Sequence, residues 1–532
     1  MANDIAENVR EWVDSCKVSS TRFKTPYFRG KLILTELELY RLAKKMRKLD
    51  EVALDVETTG LRVKVPGNDK IVGIAFSWGK NDNYYIPLNH EEYKNIPVKT
   101  FVKLFKPILE NVNVRLIAHN ISMEFHVLAN LGIHPTTRFI YDTMTAVWMI
   151  NENLLKNLEN TVKHYYGYDK FHFKDMIATI PSELKKAYGY KPNATKEVPC
   201  SLCEIPILGL YCMDDTYWSW KLYLDTQDAL EEDEMEDHFY RRYVEFFYVI
   251  FNMERRGVKV DRKKLEDMRD RAQKELEKLE YQIYEIAGIE FNVSSDQQLQ
   301  ELLFGYEKYL PEYEQIKVFE YDKQGNPVLY KSGARKGEHK FTLKNNKDNI
   351  VGQRFSGNRE ILDLSYEFPI VNKTESGAPQ VNKDSLEGIL HKEYKKDKYK
   401  QAGQQLVKLL LRYSKLSTRK GTFMDGLLEK LYQDGKMHTN YNITGTSSGR
   451  LSSNDPNLQN LPRVTEKVEK PIREAYSSDL AYQNALDEYE DYLFFINFDV
   501  REVFIPDEED EVVQVHDYRV VVFKPRELLE VA

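Results

Sequence analysis

The sequence predicts an α/β domain with a mixed sheet over residues 51–230, then a mainly helical region, then a partial α+β segment. Two observations carry this. Three short apolar strands are followed by alternating helix and strand up to about residue 230. Further on, Leu265, Met268, Ala272, Leu276, Leu279, Ile283 and Ile286 recur every three or four positions, one apolar stripe on a charged helix.

The elements follow in order. Residues 1–50 read as polar and helical, with an extended stretch near Phe28–Leu34 and no assignable chemistry. EVALDVE (51–57) is a buried strand ending in acids, and IVGIAFSW (71–78) and YYIPL (84–88) are further strands. Residues 99–112 form a helix, 114–120 a strand, and 121–132 a helix closed by Gly132. A long helix over 231–261 ends at a turn on Gly257 and packs as an antiparallel hairpin with the 265–286 helix. Residues 305–371, rich in Lys, Gly and Asn, read as an insertion with a β-hairpin around Gly325-Asn326. Helices resume over 383–432.

Composition narrows the functions. At 532 residues and 42% hydrophobic, the chain has ample core for several domains. No apolar run is long enough to span a bilayer, and the N-terminus lacks a signal-peptide core, so no membrane partner is expected. Four Cys in this length exclude a disulfide scaffold and indicate a reducing compartment. The net charge of −8 excludes a general basic coat but not a local basic groove. Residues 401–450 carry 8 basic against 3 acidic residues, and 464–532 carry 18 acidic against 7 basic, so only the former invites phosphate.

The chemistry starts with Asp55 and Glu57. Two positions apart on a strand, they share a face and repel each other unless a cation sits between them. Oxygen ligands of this kind suit Mg²⁺ or Mn²⁺. A merely solvated strand end would explain this pair equally well, but two further segments distinguish the readings. His119-Asn120-Ile-Ser-Met-Glu124 follows a strand and opens a helix, placing Glu124 one turn in. Tyr211 and Asp215, at i and i+4, share a helix face. Cys200-Ser-Leu-Cys203 is a lone C-x-x-C without a second pair, read as coincidence.

LDVETTGL, HNISME and YCMDD resemble the three motifs of the DEDD 3′–5′ exonucleases, in the subclass with a Tyr. The resemblance implies an RNase H-like sheet and two-metal phosphodiester hydrolysis, with Mg²⁺ or Mn²⁺ held by Asp55, Glu57, Glu124 and Asp215. Asp55 would bridge both ions, and Tyr211 would orient the attacking water. Glu124 stands where the family has Asp. One extra methylene displaces the carboxylate by about an ångström, so weakened rather than abolished activity is expected.

Farther along, NMERRGVKVD (252–261), FNVSSDQQLQELLF (291–304), LLLRYSKLSTRKGTF (409–423) and, most specifically, HTNYNITGTSSGRLSSNDPNLQNLP (438–462) resemble the family A DNA polymerases. This implies a thumb-like helical hairpin over 231–304, the insertion over 305–371, and a thumb/palm segment over 372–463 carrying a loop that reads the primer terminus. An acidic insertion and the first palm motif, cut short, follow over 464–532. Residues 1–50 would be an extension of unknown role, and 51–230 the exonuclease. DNA contacts are implied for Asn120, Arg412, Lys415, Arg450, Ser452, Ser453, Asn457 and Gln459: Arg412 and Lys415 to phosphate, Arg450 to minor-groove acceptors. Asp517 takes the place of a palm metal ligand. The Lys–Tyr-Gly helix and the His-Asp-Glu hairpin of the family are absent from these residues.

The expected function is that of the N-terminal part of a split or interrupted family A polymerase. It would bind primer–template and single-stranded 3′ ends and hydrolyse DNA 3′ to 5′, and would polymerise only if a second polypeptide completes the palm. The alternative is a catalytically weak DNA-binding scaffold subunit of a replication polymerase. The expected location is the cytoplasm of a bacterial cell or a bacteriophage-infected host.

Overall fold

A six-stranded mixed sheet organises the N-terminal half. The structure, a computed structural model, describes residues 28–321, 326–330, 335–462 and 468–505, and the backbone of 511–515 and 518–522. The strands are β1 (Gly30–Leu32), β2 (Glu51–Thr58), β3 (Ile71–Ser77), β4 (Asn83–Pro87), β5 (Arg115–Ala118) and β6 (Ile140–Asp142), in the order β1-β4-β3-β2-β5-β6. β3 is buried along its whole length, as an uninterrupted apolar run requires. β2 pairs antiparallel with β3, Asp55 opposite Ala75 and Glu57 opposite Gly73, and parallel with β5. Gly73 is obligatory: a Cβ there would lie 2.0 Å from the Tyr85 hydroxyl, which reaches on to His90.

Helices cover both faces. α1 (Glu36–Met46) opens with a reciprocal Thr35–Glu38 capping box. α2 (Val98–Leu109) buries Phe101 and Phe105, while α3 (Ser122–Asn130) buries its whole middle. α4 (Thr143–Ile150) is capped by Asp142. The 28-residue α5 (Ile205–Glu232) lies across β2, β3 and β4.

Three sequence expectations change. Residues 30–32 of the expected extension belong to the sheet, because β1 pairs parallel with β4. The helix expected over 231–261 is interrupted: α5 ends at Glu232, Glu234 takes φ 57°, and the chain winds through a π-turn at Phe239–Val244 into α6 (Glu245–Arg256), stopped by Gly257 at φ 64°. The apolar stripe of α7 (Arg262–Ala287) is buried as predicted, but its neighbour is α8 (Lys398–Thr418) rather than the preceding helix. Spacing reveals that a helix has an apolar face, not which surface covers it.

Contacts divide the chain into two compact units, one of Met1–Lys259, Lys430–Asn460 and Pro506–Ala532, the other of Val260–Glu429 and Leu461–Ile505. Short strands β7 (Val258–Lys259) and β10 (Lys436–Met437) pair in the first unit, as do β11 (Asn440–Asn442) and β12 (Ser452–Asn454). In the second, the expected insertion hairpin is a long antiparallel ribbon of β8 (Tyr309–Phe319) and β9 (Phe341–Phe355). α9 (Asp479–Ile496) also belongs to the second unit. Backbone strands 511–515 and 518–522 pair antiparallel. No helix among the described residues is long and apolar enough to cross a membrane.

A buried polar joint fastens the 438–441 strip to the sheet within the first unit. Glu254, on α6, meets His126 Nε2 at 2.7 Å and accepts the Tyr441 backbone N–H at 2.6 Å. Lys64, 5% exposed, lies 3.7 Å from Glu254 and donates to the Thr439 carbonyl and the Asn440 side chain. Apart from His126 Nδ1, which has no hydrogen-bond partner, these side chains pair with one another where water is excluded.

Candidate active site

Three elements bring four carboxylates to one place. β2 supplies Asp55 and Glu57 on one face, α3 supplies Glu124 one turn from its start, and α5 supplies Asp215. The start of α3 is fixed by Asn120 at φ 68°, whose backbone N–H donates to Asp142 at 2.9 Å. Beside it, His119 bonds Thr143 at 2.9 Å and the Lys156 carbonyl at 2.7 Å, and burial lowers its pKa to about 4, so it stays neutral.

The charges register their proximity. Burial first, then the charge of Asp215, pushes Asp55 up to about 8. Glu57 is raised well above the usual carboxylate range by burial and then by Asp55, Asp215 and Glu124. Burial and then Asp55 raise Glu124, which is 3% exposed and whose Oε2 has no hydrogen-bond partner. Such a cluster is costly while bare and favours a multivalent cation. The oxygen donors and the orphaned Glu124 oxygen therefore fit a divalent metal. Tyr211, half-buried, packs edge-on against Phe171 and Phe173. The charge of Asp215, then burial, holds its hydroxyl protonated.

The sequence reading missed three residues here. Lys170 is buried and pairs with Asp214 at 2.7 Å and also with Asp215. Asp214 is buried too, and accepts from Trp218 Nε1 at 3.1 Å. Cys212 reaches the Asp55 carboxylate at 3.2 Å. Cys212 was visible beside Tyr211 in the motif, whereas Lys170 lies in a loop with no periodic signal. Cys200 and Cys203 are buried free thiols, and Cys200 donates to the Thr58 carbonyl.

The residues expected on DNA fare unevenly. Arg450 and Asn120 are exposed, and Ser452 is half-buried on β12. Ser453 is 4% exposed and accepts from the Gln459 backbone at 3.2 Å, while Asn457 accepts the backbone N–H groups of Gln459 and Asn460 at 3.1 Å. The Gln459 amide donates to the Leu451 carbonyl at 3.2 Å. Ser453, Asn457 and Gln459 therefore spend these groups on shaping the loop.

In the second unit, Arg412 is half-buried and engaged by acids, whereas Lys415 is exposed. The acidic α9 lies against them. Arg412 pairs with Asp491 at 2.6 Å and Glu490 at 3.4 Å, Lys408 with Asp487 at 2.6 Å, and the Lys415 ammonium sits 4.2 Å from the Phe495 ring centre. Unlike charges within one unit find each other whenever geometry allows. Asp517 lies outside the described residues.

Comparison with known proteins adds the following. A family model described as 3′–5′ exonuclease matches residues 31–223, and that of DNA polymerase family A matches 353–492. DNA polymerase I of Borreliella burgdorferi is 23% identical over 448 residues, covering 84% of this chain and 39% of the relative. That of Chloroflexus aurantiacus is 25% identical over 454 residues, with the same coverage. The DNA polymerase of Bacillus phage SP01 is 26% identical over 422 residues, covering 77% of this chain and 41% of its own. The chain thus spans about two-fifths of the length of these relatives. The POL domain of Pol1 from M. smegmatis, solved with DNA primer-template and dNTP, shares the fold at a TM-score of 0.55 and 16% identity, over 91% of this chain and 60% of that one.

Proposed function

Because the chain belongs to DNA polymerase family A and carries a 3′–5′ exonuclease domain, we propose that it removes nucleotides from DNA 3′ ends by hydrolysis at the Asp55–Glu57–Glu124–Asp215 cluster. The supporting observation is the buried Glu124 oxygen without a partner among three other acids. These four side chains would hold two divalent cations, Mg²⁺ or Mn²⁺. When bound, such ions activate water and stabilise the leaving 3′ oxygen. Tyr211, held protonated beside Asp215, offers a neutral O–H to orient that water. Phe171 and Phe173 hold its ring in place.

Arg450 would check the minor groove of a primer–template, and Lys408, Arg412 and Lys415 would take phosphates once α9 yields them. Nucleotide incorporation would need palm carboxylates and a triphosphate-binding helix beyond those these residues carry, supplied as continuing chain or as a second polypeptide. The working place is the cytoplasm. The test is release of nucleotides from end-labelled single-stranded DNA with Mg²⁺. Activity lost in Asp55→Ala supports the reading, and an inert wild-type chain that still binds DNA would favour a scaffold role instead. Primer extension, with and without a chain carrying the remaining palm, tests the polymerase part.

A further inference from the structure

Among the four acids lies a sulfur atom that the hydrolytic scheme does not use. Cys212 follows Tyr211 on α5, is fully buried, and turns toward β2. Its Sγ–H donates to Asp55 Oδ2 at 3.2 Å and lies 3.5 Å from the Asp55 carbonyl oxygen. Donor atoms of Asp55, Glu57 and Cys212 all fall within 4.8 Å of one another, the one grouping of this kind among the described residues. A second observation points to a ligand there: Glu124 Oε2 is buried, has no hydrogen-bond partner, and Glu124 lies close enough to Asp55 for their charges to interact. At Asp215, by contrast, the ammonium of Lys170 already supplies positive charge.

We propose that Asp55, Glu57 and Cys212 form a site for a thiophilic divalent cation, Zn²⁺, Co²⁺ or Cd²⁺, with Cys212 as a thiolate ligand. This rests on the metal-binding reading of the cluster above. A thiolate discriminates among cations: it is a poor partner for Mg²⁺ and a strong one for borderline and soft ions. The distances suit the smaller ions. Bonds of about 2.1 Å to oxygen and 2.3 Å to sulfur place tetrahedral donors roughly 3.6 Å apart, and the Sγ–Oδ2 pair is already inside that span. On binding, the S–H bond breaks, a sulfur–metal bond forms, and one proton leaves to solvent, with no change of oxidation state. The hydrogen bond from Sγ to Asp55 is exchanged for a shared cation. Glu124 Oε2, buried and without a hydrogen-bond partner, is a candidate for a further ligand. Micromolar zinc-group ions would therefore displace Mg²⁺ from this corner and change the nuclease's rate.

The experiment is titration of the purified full chain with Co²⁺, read by absorption. The expected result is visible ligand-field bands together with a near-ultraviolet sulfur-to-cobalt charge-transfer band. Cys212→Ser, which keeps the side chain's size, should lose the near-ultraviolet band, keep the visible ones, and bind Zn²⁺ at least about tenfold more weakly by competition with cobalt. Cys212→Ala should behave alike, and both should match wild type in far-ultraviolet circular dichroism. Cys200→Ser, Cys203→Ser and Cys16→Ser should retain the band. Visible bands without charge transfer in the wild type, or a band that survives Cys212→Ser, would overturn the sulfur ligand and leave the oxygen site standing. No cobalt spectrum at all would overturn the metal-binding reading and this proposal with it.

Discussion

Neutralising the acids of α9 that engage α8 should tighten DNA binding. The perturbation is Asp487→Asn with Asp491→Asn, which preserves side-chain size and removes two negative charges. Each acid holds one cation, Lys408 at 2.6 Å and Arg412 at 2.6 Å. The pairs are partly open to solvent, with Lys408 40% and Arg412 24% exposed, so each is worth about 0.2–1 kcal/mol. If phosphates must displace both, the variant gains roughly 0.4–2 kcal/mol, or about 2- to 30-fold in Kd. Two cations returned to phosphate contact should also steepen the plot of log affinity against log salt by about 1.8. Fluorescence anisotropy with a labelled primer–template duplex across a salt series reads both quantities. Adding Lys408→Ala and Arg412→Ala in the same background should erase the gain. An unchanged Kd with an unchanged salt slope would refute the idea that α9 competes with DNA for these cations.

Further outcomes follow from the site. Asp55→Ala should abolish Mg²⁺-dependent nucleotide release, whereas Tyr211→Phe should slow it by about 10²-fold at most, since water orientation is the smaller contribution; equal losses in an end-label assay would contradict this division of roles. Arg450→Ala should weaken binding to primer–template more than to single strands, because only the duplex has a minor groove, and anisotropy showing equal losses would count against it. Asp55 titrates near 8 in the folded protein against 3.8 as its ordinary value, so the folded state holds its proton longer. The contribution of Asp55 to metal-free stability should therefore be most favourable at acid pH and fade as pH rises toward about 8. A divalent cation relieves that repulsion, so thermal melts should show a larger cation-induced rise in Tm at alkaline than at mildly acidic pH, and a pH-independent rise would contradict the assignment.

The sheet was legible because burial leaves a period. β2 to β5 are short apolar runs between polar turns, and the i, i+2 and i, i+4 spacings fixed which acids shared a face before any contact was known. What escaped were relations between elements. The stripe on α7 called for a partner, but nothing in its spacing distinguished α8 from α6. The acidity of 464–532 was legible as charge, not as a helix laid on Lys408 and Arg412, because charge balance carries no address. Lys170 was hidden for a related reason: a lysine in an aperiodic loop is ordinarily solvated, and only the fold reveals that two carboxylates wait for it. In the 438–462 loop the residue types announced hydrogen-bonding groups, but sequence could not tell which of them the loop spends on itself.

The joint at Lys64 bears on how this exonuclease domain could be exchanged between relatives. Residue 64 falls within the stretch that matches the 3′–5′ exonuclease family model, yet its counter-charge and carbonyl partners, Glu254, Thr439 and Asn440, lie beyond it. A crossover that imported residues 31–223 alone from another polymerase, or exported them, would strand an ammonium in a dry pocket. Leaving one member of a buried pair uncompensated costs about 3–5 kcal/mol, against a total stability of roughly 5–15 kcal/mol for a domain. Grafts that carry residues 64, 254 and 436–441 together should survive where simple end-to-end swaps fail. Heredity at this point is therefore transmitted in two distant pieces of sequence that must travel as one.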